Sequence, residues 1–216
     1  MARITVLGGT GYAGSNIVKA AAARGHQVTS FSRTAPAPAD AVAGATYVTG
    51  NVFDEVTLDG LIDNADVVVS ALAPRGELAG KTREVLSHVA EYAAAAKVRV
   101  GVVGGAGSLQ ISPGGIRLLD TRQFPAAFKA EAVEMGSVLY DLRASDADLD
   151  WFFVSPASGF GSHAPGVATG VYRLGGDVVL SDDNGKSEIS GADLADAIVK
   201  EIETPAHVRS RFTVAY

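Results

Sequence analysis

The sequence contains no cysteine among its 216 residues, which excludes disulfide bonds and thiolate chemistry. It has no run of basic residues, and its formal net charge is −6, so we expect no nucleic-acid partner. No apolar stretch reaches the roughly 20 residues that cross a bilayer, and the first predicted strand follows Met1 too closely for a signal peptide. We therefore expect a cytoplasmic protein that makes no membrane contact.

A metal site is also not predicted. The four histidines are scattered along the chain without the spacing of metal ligands. Asp146, Asp148 and Asp150 form a small acidic cluster, but it precedes a predicted strand and has no histidine beside it. A solvated turn is the simpler interpretation of this cluster.

The most informative stretch is a short β-branched run, 3–7, that leads directly into Gly8, Gly11 and Gly14 and an alanine-rich helical pattern. In dinucleotide sites, such glycines make a tight turn, admit a pyrophosphate close to main chain, and let helix pack on strand. The N–H groups at the helix start hold the phosphates. We predict that the pyrophosphate is held by Gly8, Thr10, Gly11, Tyr12, Ala13 and Gly14.

The residues after the second predicted strand indicate which nicotinamide cofactor binds. NAD sites usually place a carboxylate there for the ribose 2′-hydroxyl, whereas NADP sites place an arginine for the 2′-phosphate. This chain has Ser32 and Arg33, and its first following acid is Asp40. The pattern favours NADP(H) over NAD(H), the alternative being that Arg33 is an ordinary surface cation.

Strand and helix patterns alternate along the chain, which predicts a doubly wound α/β fold of the Rossmann type. The sheet is expected to be mostly parallel, with helices on both faces and a small C-terminal extension, in one domain, 1–216. Predicted strands cover 3–7, 26–31, 47–49, 66–70, 98–103, 150–155, 172–174, 178–180 and 211–214. Predicted helices cover 12–24, 55–64, 77–96, 125–145 and 190–203, and Phe128 is assigned to the core face of the fourth.

In such sheets, ligands bind at the carboxyl ends of the strands. The small residues after the fourth predicted strand would let a cofactor lie against main chain, and we assign Ala71, Leu72 and Ala73 to the cofactor site. We expect Gly104 and Gly105, after the fifth, to border the nicotinamide. The long segments 104–124 and 156–190 are predicted to line the substrate cleft, which among the histidines contains only His163.

A Tyr-x-x-x-Lys sequence is absent. In classical short-chain dehydrogenases/reductases, which share the glycine-loop variant of this chain, that tyrosine is the general acid for carbonyl reduction. Its absence argues against alcohol–ketone chemistry. Hydride transfer to an oxidised flavin requires less from the protein, because the flavin ring itself delocalises the negative charge.

Several further motifs make the resemblance more specific: GGAGSL at 104–109, LLDT at 118–121, FP at 124–125 and YRLGGD at 172–177. With them the whole chain resembles the NADH-flavin reductases assigned by sequence, atypical short-chain reductases that are similar to biliverdin reductase B and the NmrA-like proteins. The resemblance implies an NAD(P)H-dependent oxidoreductase with flavin (FMN or FAD) as substrate.

The same resemblance implies roles for individual residues. Asn51 and Val52 would lie beside the adenine, and Pro156 and Ala157 beside the nicotinamide. Lys129 would reach the nicotinamide ribose, although it can equally be a solvated helix residue. Ser108 is a candidate catalytic hydroxyl facing substrate or nicotinamide, with a turn residue as the alternative.

A second function also fits these residues. NmrA-like proteins are NADP(H)-sensing regulators that keep the dinucleotide site and lack the tyrosine, so the missing acid does not separate a reductase from a sensor. Nucleotide-sugar epimerisation is disfavoured because it needs that tyrosine. With an aromatic content of 7%, the sequence shows no cluster that would stack on a flavin, and neither the acceptor nor the oligomeric state can be predicted.

Overall fold

A computed structural model describes residues 1–216. The eight strands are β1 (Arg3–Leu7), β2 (Gln27–Ser32), β3 (Ala45–Thr49), β4 (Val67–Ser70), β5 (Arg99–Val103), β6 (Trp151–Pro156), β7 (Arg173–Gly175) and β8 (Ser210–Ala215). The five α-helices are α1 (Tyr12–Ala23), α2 (Glu55–Asp63), α3 (Thr82–Ala96), α4 (Lys129–Ala144) and α5 (Gly191–Glu203).

All eight strands belong to one sheet, in the order β3-β2-β1-β4-β5-β6-β8-β7. Every pairing is parallel except that of β7 with β8. The order of β1 to β6 is that of the dinucleotide-binding fold. The predicted Rossmann-type sheet is therefore confirmed, and β7 with β8 forms its C-terminal extension.

Helices cover both faces of this sheet. One apolar cluster packs α1 and α5 on the first face, and a second packs α2, α3 and α4 on the opposite face. Between β2 and β3 the chain forms only a short 3-10 turn, Pro38–Asp40, so α1 shares its face with α5 alone. Strand β6 is buried along its whole length, as expected for a strand covered on both sides.

Local sequence signals fix two of the helix starts. The Asp54 side chain accepts a hydrogen bond from the Thr57 amide and caps α2. Ser190 caps α5, because its hydroxyl accepts from the Asp193 amide at 3.1 Å. Both caps satisfy a backbone N–H group at the helix start and so stabilise the first turn of the helix.

Three details differ from the sequence predictions. The helix predicted over 77–96 begins only at Thr82, because Gly80 adopts a φ of +76° that an α-helix cannot contain. Residues 178–180 form no strand, because their pairing is limited to one isolated parallel bridge between Val178 and Gln110, in which the Gln110 amide donates to the Asp177 carbonyl and the Val179 amide to the Gln110 carbonyl. Phe128 is not in the core: it lies just before α4 and is 42% exposed.

No helix in the structure has the length and apolar character needed to cross a membrane.

Candidate functional site

The predicted cofactor residues come together along one edge of the sheet, after the carboxyl ends of β1 to β6. Strand β1 lies between β2 and β4, so the connections that leave β1 and β4 diverge there. This divergence is the topological switch point, where open α/β sheets bind their ligands.

The glycine loop has the backbone geometry that a dinucleotide site requires. Gly8 adopts a φ of +80°, and its amide donates to the Phe31 carbonyl at 2.8 Å. The Gly11 amide closes the turn by donating to the Gly8 carbonyl at 3.0 Å. A Cβ atom on Gly14 would lie 2.2 Å from the Gly8 carbonyl oxygen. Helix and loop therefore approach each other as closely as only glycine permits.

Three main-chain donors at the start of α1 have no partner in the protein. The amides of Tyr12, Ala13 and Gly14 donate to no backbone or side-chain acceptor, and Gly11 offers no side-chain cap. Unpaired N–H groups and the positive end of the helix dipole attract phosphate oxygens. The loop therefore fits a pyrophosphate, with these three amides as its donors.

The Ser32 side chain stabilises the glycine loop through hydrogen bonds. Its buried hydroxyl accepts from the Thr10 amide at 3.0 Å and donates to the Phe31 carbonyl at 2.8 Å. Both hydrogen-bonding positions of the Ser32 hydroxyl are therefore used within the protein. Ser32 would act on a cofactor indirectly, by holding Thr10 in position.

Tyr12 connects the glycine loop to the segment that follows β6. Its hydroxyl donates to the Pro165 carbonyl and accepts from the Gly191 amide, both at 3.0 Å. Its ring packs against that of Phe160, with centroids 5.3 Å apart. One wall of the predicted cleft is therefore held directly against the phosphate-binding loop.

Arg33 follows β2 on the surface, where a 2′-phosphate would be expected. Its Nη1 lies 3.2 Å from Oε2 of Glu77, and the two side chains are 68% and 70% exposed. Exposed pairs of this kind contribute about 0–1 kcal/mol. A 2′-phosphate could therefore displace Glu77 from Arg33 at little cost.

The residues after β3 and β4 would meet a cofactor mainly through main chain. Asn51 is exposed and accepts from the Phe53 amide through its own side chain, whereas the Val52 and Leu72 side chains are buried in the core. Ala71 donates its amide to the Leu7 carbonyl, and Ala73 is exposed.

Of the two glycines after β5 that are predicted to border the nicotinamide, Gly104 is packed against the core and Gly105 faces free space. A Cβ on Gly104 would lie 2.0 Å from the Phe153 ring, but a Cβ on Gly105 would meet no atom within 4 Å. Pro156 and Ala157, at the end of β6, are both buried. Gly105 therefore presents the free surface on which a nicotinamide is predicted to lie.

Gly105→Val tests that placement. The backbone at Gly105 is extended, with φ −134°, and the space beside it is open, so we expect the melting temperature to change by little. If the cofactor lies against Gly105, the valine overlaps it, and we expect NADPH binding to weaken at least about tenfold, equivalent to about 1.4 kcal/mol. Calorimetry of NADPH binding and thermal unfolding measure the two effects, and unchanged affinity would contradict the placement.

Ser108 lies on a 3-10 turn against α4 and is bound to a buried cation. Its Oγ accepts from Nη1 of Arg211 at 2.9 Å. The nearly inaccessible Arg211 also binds Asp177, with Nε 2.8 Å from Oδ1, and Arg143 reaches the same carboxylate at 2.7 Å. Burial opposes ionisation of Asp177, but hydrogen bonds from Arg211 and Arg143 outweigh it and lower the pKa of that carboxyl.

Ser108 and Lys129, the two catalytic candidates, lie apart along α4. A Cβ on Gly136 would stand 3.8 Å from the Ser108 Cβ, and Gly136 is seven residues after Lys129, about 10 Å along the helix. Lys129 is exposed at the first position of α4 and forms no ion pair or hydrogen bond. Because Arg211 occupies an acceptor position on Ser108, the serine proton is free to be donated.

No tyrosine from elsewhere in the fold replaces the missing acid. Tyr140 is exposed three turns along α4 from Lys129. Four other hydroxyls already donate to groups of the protein, those of Tyr12, Tyr92, Tyr172 and Tyr216. The hydroxyl of Tyr47 accepts from the Val42 amide, and Tyr47 lies on β3 at the far edge of the sheet from β6. The predicted cleft therefore contains no free phenol beside Lys129.

The pairing of Arg211 with Asp177 was not predicted from the sequence. Arg211 is the charged residue of the final strand, and Asp177 closes the YRLGGD motif, so each position carried a signal that could have been followed. No group of histidine or acidic side chains in the structure could hold a metal ion.

Comparison with known proteins agrees with this geometry. The pattern of a family described as NAD(P)H-binding matches residues 8–205, a range that includes the glycine loop and every site residue predicted from the sequence.

Three solved bacterial structures are similar over nearly the whole chain. A "putative exported protein" from Burkholderia pseudomallei is 39% identical, with 100% of both chains covered and a TM-score of 0.87. A "putative epimerase" from Bacteroides thetaiotaomicron is 32% identical over 99% of this chain and 96% of that one, with a TM-score of 0.87. A "putative NADH-flavin reductase" from Streptococcus pneumoniae is 32% identical over 100% and 99%, with a TM-score of 0.83.

The fold, the unpaired amides of the glycine loop and these similarities together support an NAD(P)H-dependent oxidoreductase. This chain belongs to the NAD(P)H-binding family.

Proposed function

We propose that the protein is an NADPH-dependent reductase that transfers a hydride to a flavin or to a comparable flat, conjugated acceptor. The observation that carries the proposal is the combination of a complete phosphate-binding loop with a cleft that has no free phenol. The loop would bind the cofactor, and the lack of a free phenol argues against acceptors that need a proton from a protein acid.

The residues present fit the cofactor. Amides of Tyr12, Ala13 and Gly14 would hold the pyrophosphate, and Arg33 would bind the 2′-phosphate. Gly105 and Lys129 would border the nicotinamide and its ribose. When bound, NADPH supplies the hydride.

A flavin acceptor suits the groups that line this cleft. Its ring spreads the negative charge that arrives with the hydride, so the protein's main task is to hold donor and acceptor in contact. The free proton of Ser108 and the charge of Lys129 are the polar groups available nearby. A ketone would instead require a positioned acid such as the absent tyrosine.

The Streptococcus pneumoniae structure, described as an NADH-flavin reductase, supports this choice of acceptor. The epimerase description of the Bacteroides thetaiotaomicron structure does not extend to this chain in our proposal, because that chemistry needs the missing acid. We place the reductase in the cytoplasm, with small molecules as its partners.

The decisive assay follows the loss of absorbance at 340 nm when the protein is mixed with NADPH and FMN. We expect NADPH to be preferred over NADH. In Arg33→Ala, losing a charge-assisted hydrogen bond worth about 1.5–3 kcal/mol should raise KM for NADPH roughly tenfold or more and leave that for NADH nearly unchanged. Arg3→Ala is the matched control, since Arg3 is a half-exposed, ion-paired arginine at the opposite edge of the sheet.

Two results would count against the proposal. Tight NADPH binding without turnover across several flavins and quinones would indicate the NADP(H)-sensing regulator instead. Equal use of NADH and NADPH, unaffected by Arg33→Ala, would remove the assigned role of Arg33 while leaving the reductase intact.

A further inference from the structure

We infer that the side chains of Phe128 and His163 form the surface on which the ring of the acceptor stacks, an inference that rests on the proposed function. His163 belongs to segment 156–190, which is predicted to line the cleft, and Phe128 lies between the other such segment, 104–124, and α4. Their rings are nearly parallel, with an interplanar angle of 21° and centroids 6.3 Å apart. The sequence pattern assigned His163 to the cleft but Phe128 to the core, so it did not predict this aromatic pair.

Phe128 is an exposed aromatic residue beside one of the predicted cofactor residues. It immediately precedes Lys129, the first residue of α4, and its side chain remains largely open to solvent beside His163. An aromatic ring that fills no core position can stack on a planar ligand without any rearrangement of the core. Its neighbour in sequence is the lysine assigned to the nicotinamide ribose.

A tight turn places His163 opposite Phe128. The Ala164 amide donates to the Gly161 carbonyl at 3.0 Å. A Cβ on Gly161 would lie only 2.7 Å from Cε1 of the His163 imidazole, so the absence of a side chain at 161 makes room for the ring. The turn therefore holds the imidazole in a defined direction.

The segment that carries His163 is anchored to the glycine-loop side of the cleft. Tyr12 binds the carbonyl of Pro165, and the Tyr216 hydroxyl lies 2.8 Å from the Val167 carbonyl. The buried carboxylate of Asp193 accepts from the Thr169 amide at 2.8 Å and from the Gly170 amide at 3.0 Å. With these anchors at one end and Phe128 at the other, the ring pair spans the opening between the glycine loop and α4.

The exposed rings of Phe128 and His163 favour one class of ligand. Stacking on aromatic rings favours planar conjugated systems and is indifferent to their hydrogen-bonding edges. A ring held by Phe128 and His163 would lie over the predicted nicotinamide region, where a hydride acceptor must be. The pair therefore suits an isoalloxazine or a similar flat acceptor better than a sugar or an aliphatic ketone.

The test is a titration of FMN, followed by its own fluorescence, against protein saturated with NADP⁺. We expect Phe128→Ala and His163→Ala each to weaken FMN binding roughly 3- to 10-fold, and Phe128→Tyr to retain it. Tyr140→Ala, which removes another exposed aromatic ring from the same helix, is the matched control and should bind FMN normally. NADP⁺ affinity and melting temperature should be unchanged in all four variants.

The outcomes separate this inference from the proposed function. Wild-type FMN affinity in both alanine variants, or no FMN binding by the wild type, would overturn the stacking surface even if NADPH is oxidised with another acceptor. Loss of FMN binding in the variants would support the surface even if the wild-type protein never oxidises NADPH, a result that would defeat the reductase alone.

Discussion

Glu201→Gln should lower the free energy of unfolding by about 3 kcal/mol, the lower end of the usual cost of removing one partner of a buried ion pair. Oε1 of Glu201 lies 2.7 Å from Nη2 of Arg99, and the two side chains are 4% and 7% exposed. The carboxylate also accepts from the amides of Ala206, at 3.1 Å, and His207, at 3.0 Å. Glutamine would keep the volume but remove the buried charge beside Arg99, whose remaining partner would be the half-exposed carboxylate of Asp150, 3.2 Å from Nε. Urea denaturation of the two proteins measures the difference.

The same carboxylate should make stability depend on pH. Burial alone would raise the pKa of Glu201, but hydrogen bonds from Arg99 and His207 exceed that effect and lower it. A group whose pKa is lower in the folded state stabilises above its unfolded pKa, about 4.3 for glutamate, and loses this contribution as pH falls through the folded value. We expect the wild-type melting temperature to fall more steeply than that of Glu201→Gln below about pH 4.

Glu203→Gln is the control for both measurements. Glu203 lies on the same helix, but its side chain is 33% exposed and pairs with Arg24 near the surface. It also contacts Nε2 of His26 at 3.1 Å, a hydrogen bond that glutamine can keep. Surface pairs contribute about 0–1 kcal/mol, so this variant should remain close to wild type. If the two glutamine variants lost the same stability, burial of the Arg99–Glu201 pair would not be the cause.

Gly14→Ala should abolish most cofactor binding. The new Cβ would lie 2.2 Å from the Gly8 carbonyl oxygen and 2.8 Å from the Gly9 Cα, and neither main-chain atom can rotate away. Moving the loop would misalign the amides assigned to the pyrophosphate, each worth about 1.5–3 kcal/mol to a charged ligand. We expect NADPH affinity to fall about 100-fold, as two such bonds weaken, together with a loss of stability of about 1–3 kcal/mol from overpacking.

Isothermal titration with NADPH measures this loss, and Gly60→Ala supplies the comparison. Gly60 lies inside α2, and a Cβ there would meet no atom within 4 Å. Alanine at that position should raise stability by about 0.5–1 kcal/mol and leave NADPH affinity unchanged. Normal NADPH affinity in Gly14→Ala would show that the phosphates bind elsewhere.

The sequence by itself determined the fold class and the place of the cofactor loop. Both rest on local patterns: apolar runs that alternate with helical periods, and three glycines between a strand and a helix. Such patterns act within a few residues, because turn geometry and helix–strand packing are set by neighbouring residues. The local patterns were wrong at two places: Gly80 delays the start of α3, and residues 178–180 form only an isolated bridge to Gln110 instead of a strand.

Only the tertiary structure decided how the polar and aromatic side chains pair. Ser108 hydrogen-bonds to Arg211, Phe128 stacks near His163, and Arg99 forms an ion pair with Glu201. In each case the partners are widely separated along the chain, so no local period or spacing records their contact. Their meeting depends on which strand ends become neighbours and how the long loops return across the sheet, because that arrangement alone brings such groups within hydrogen-bonding or stacking distance.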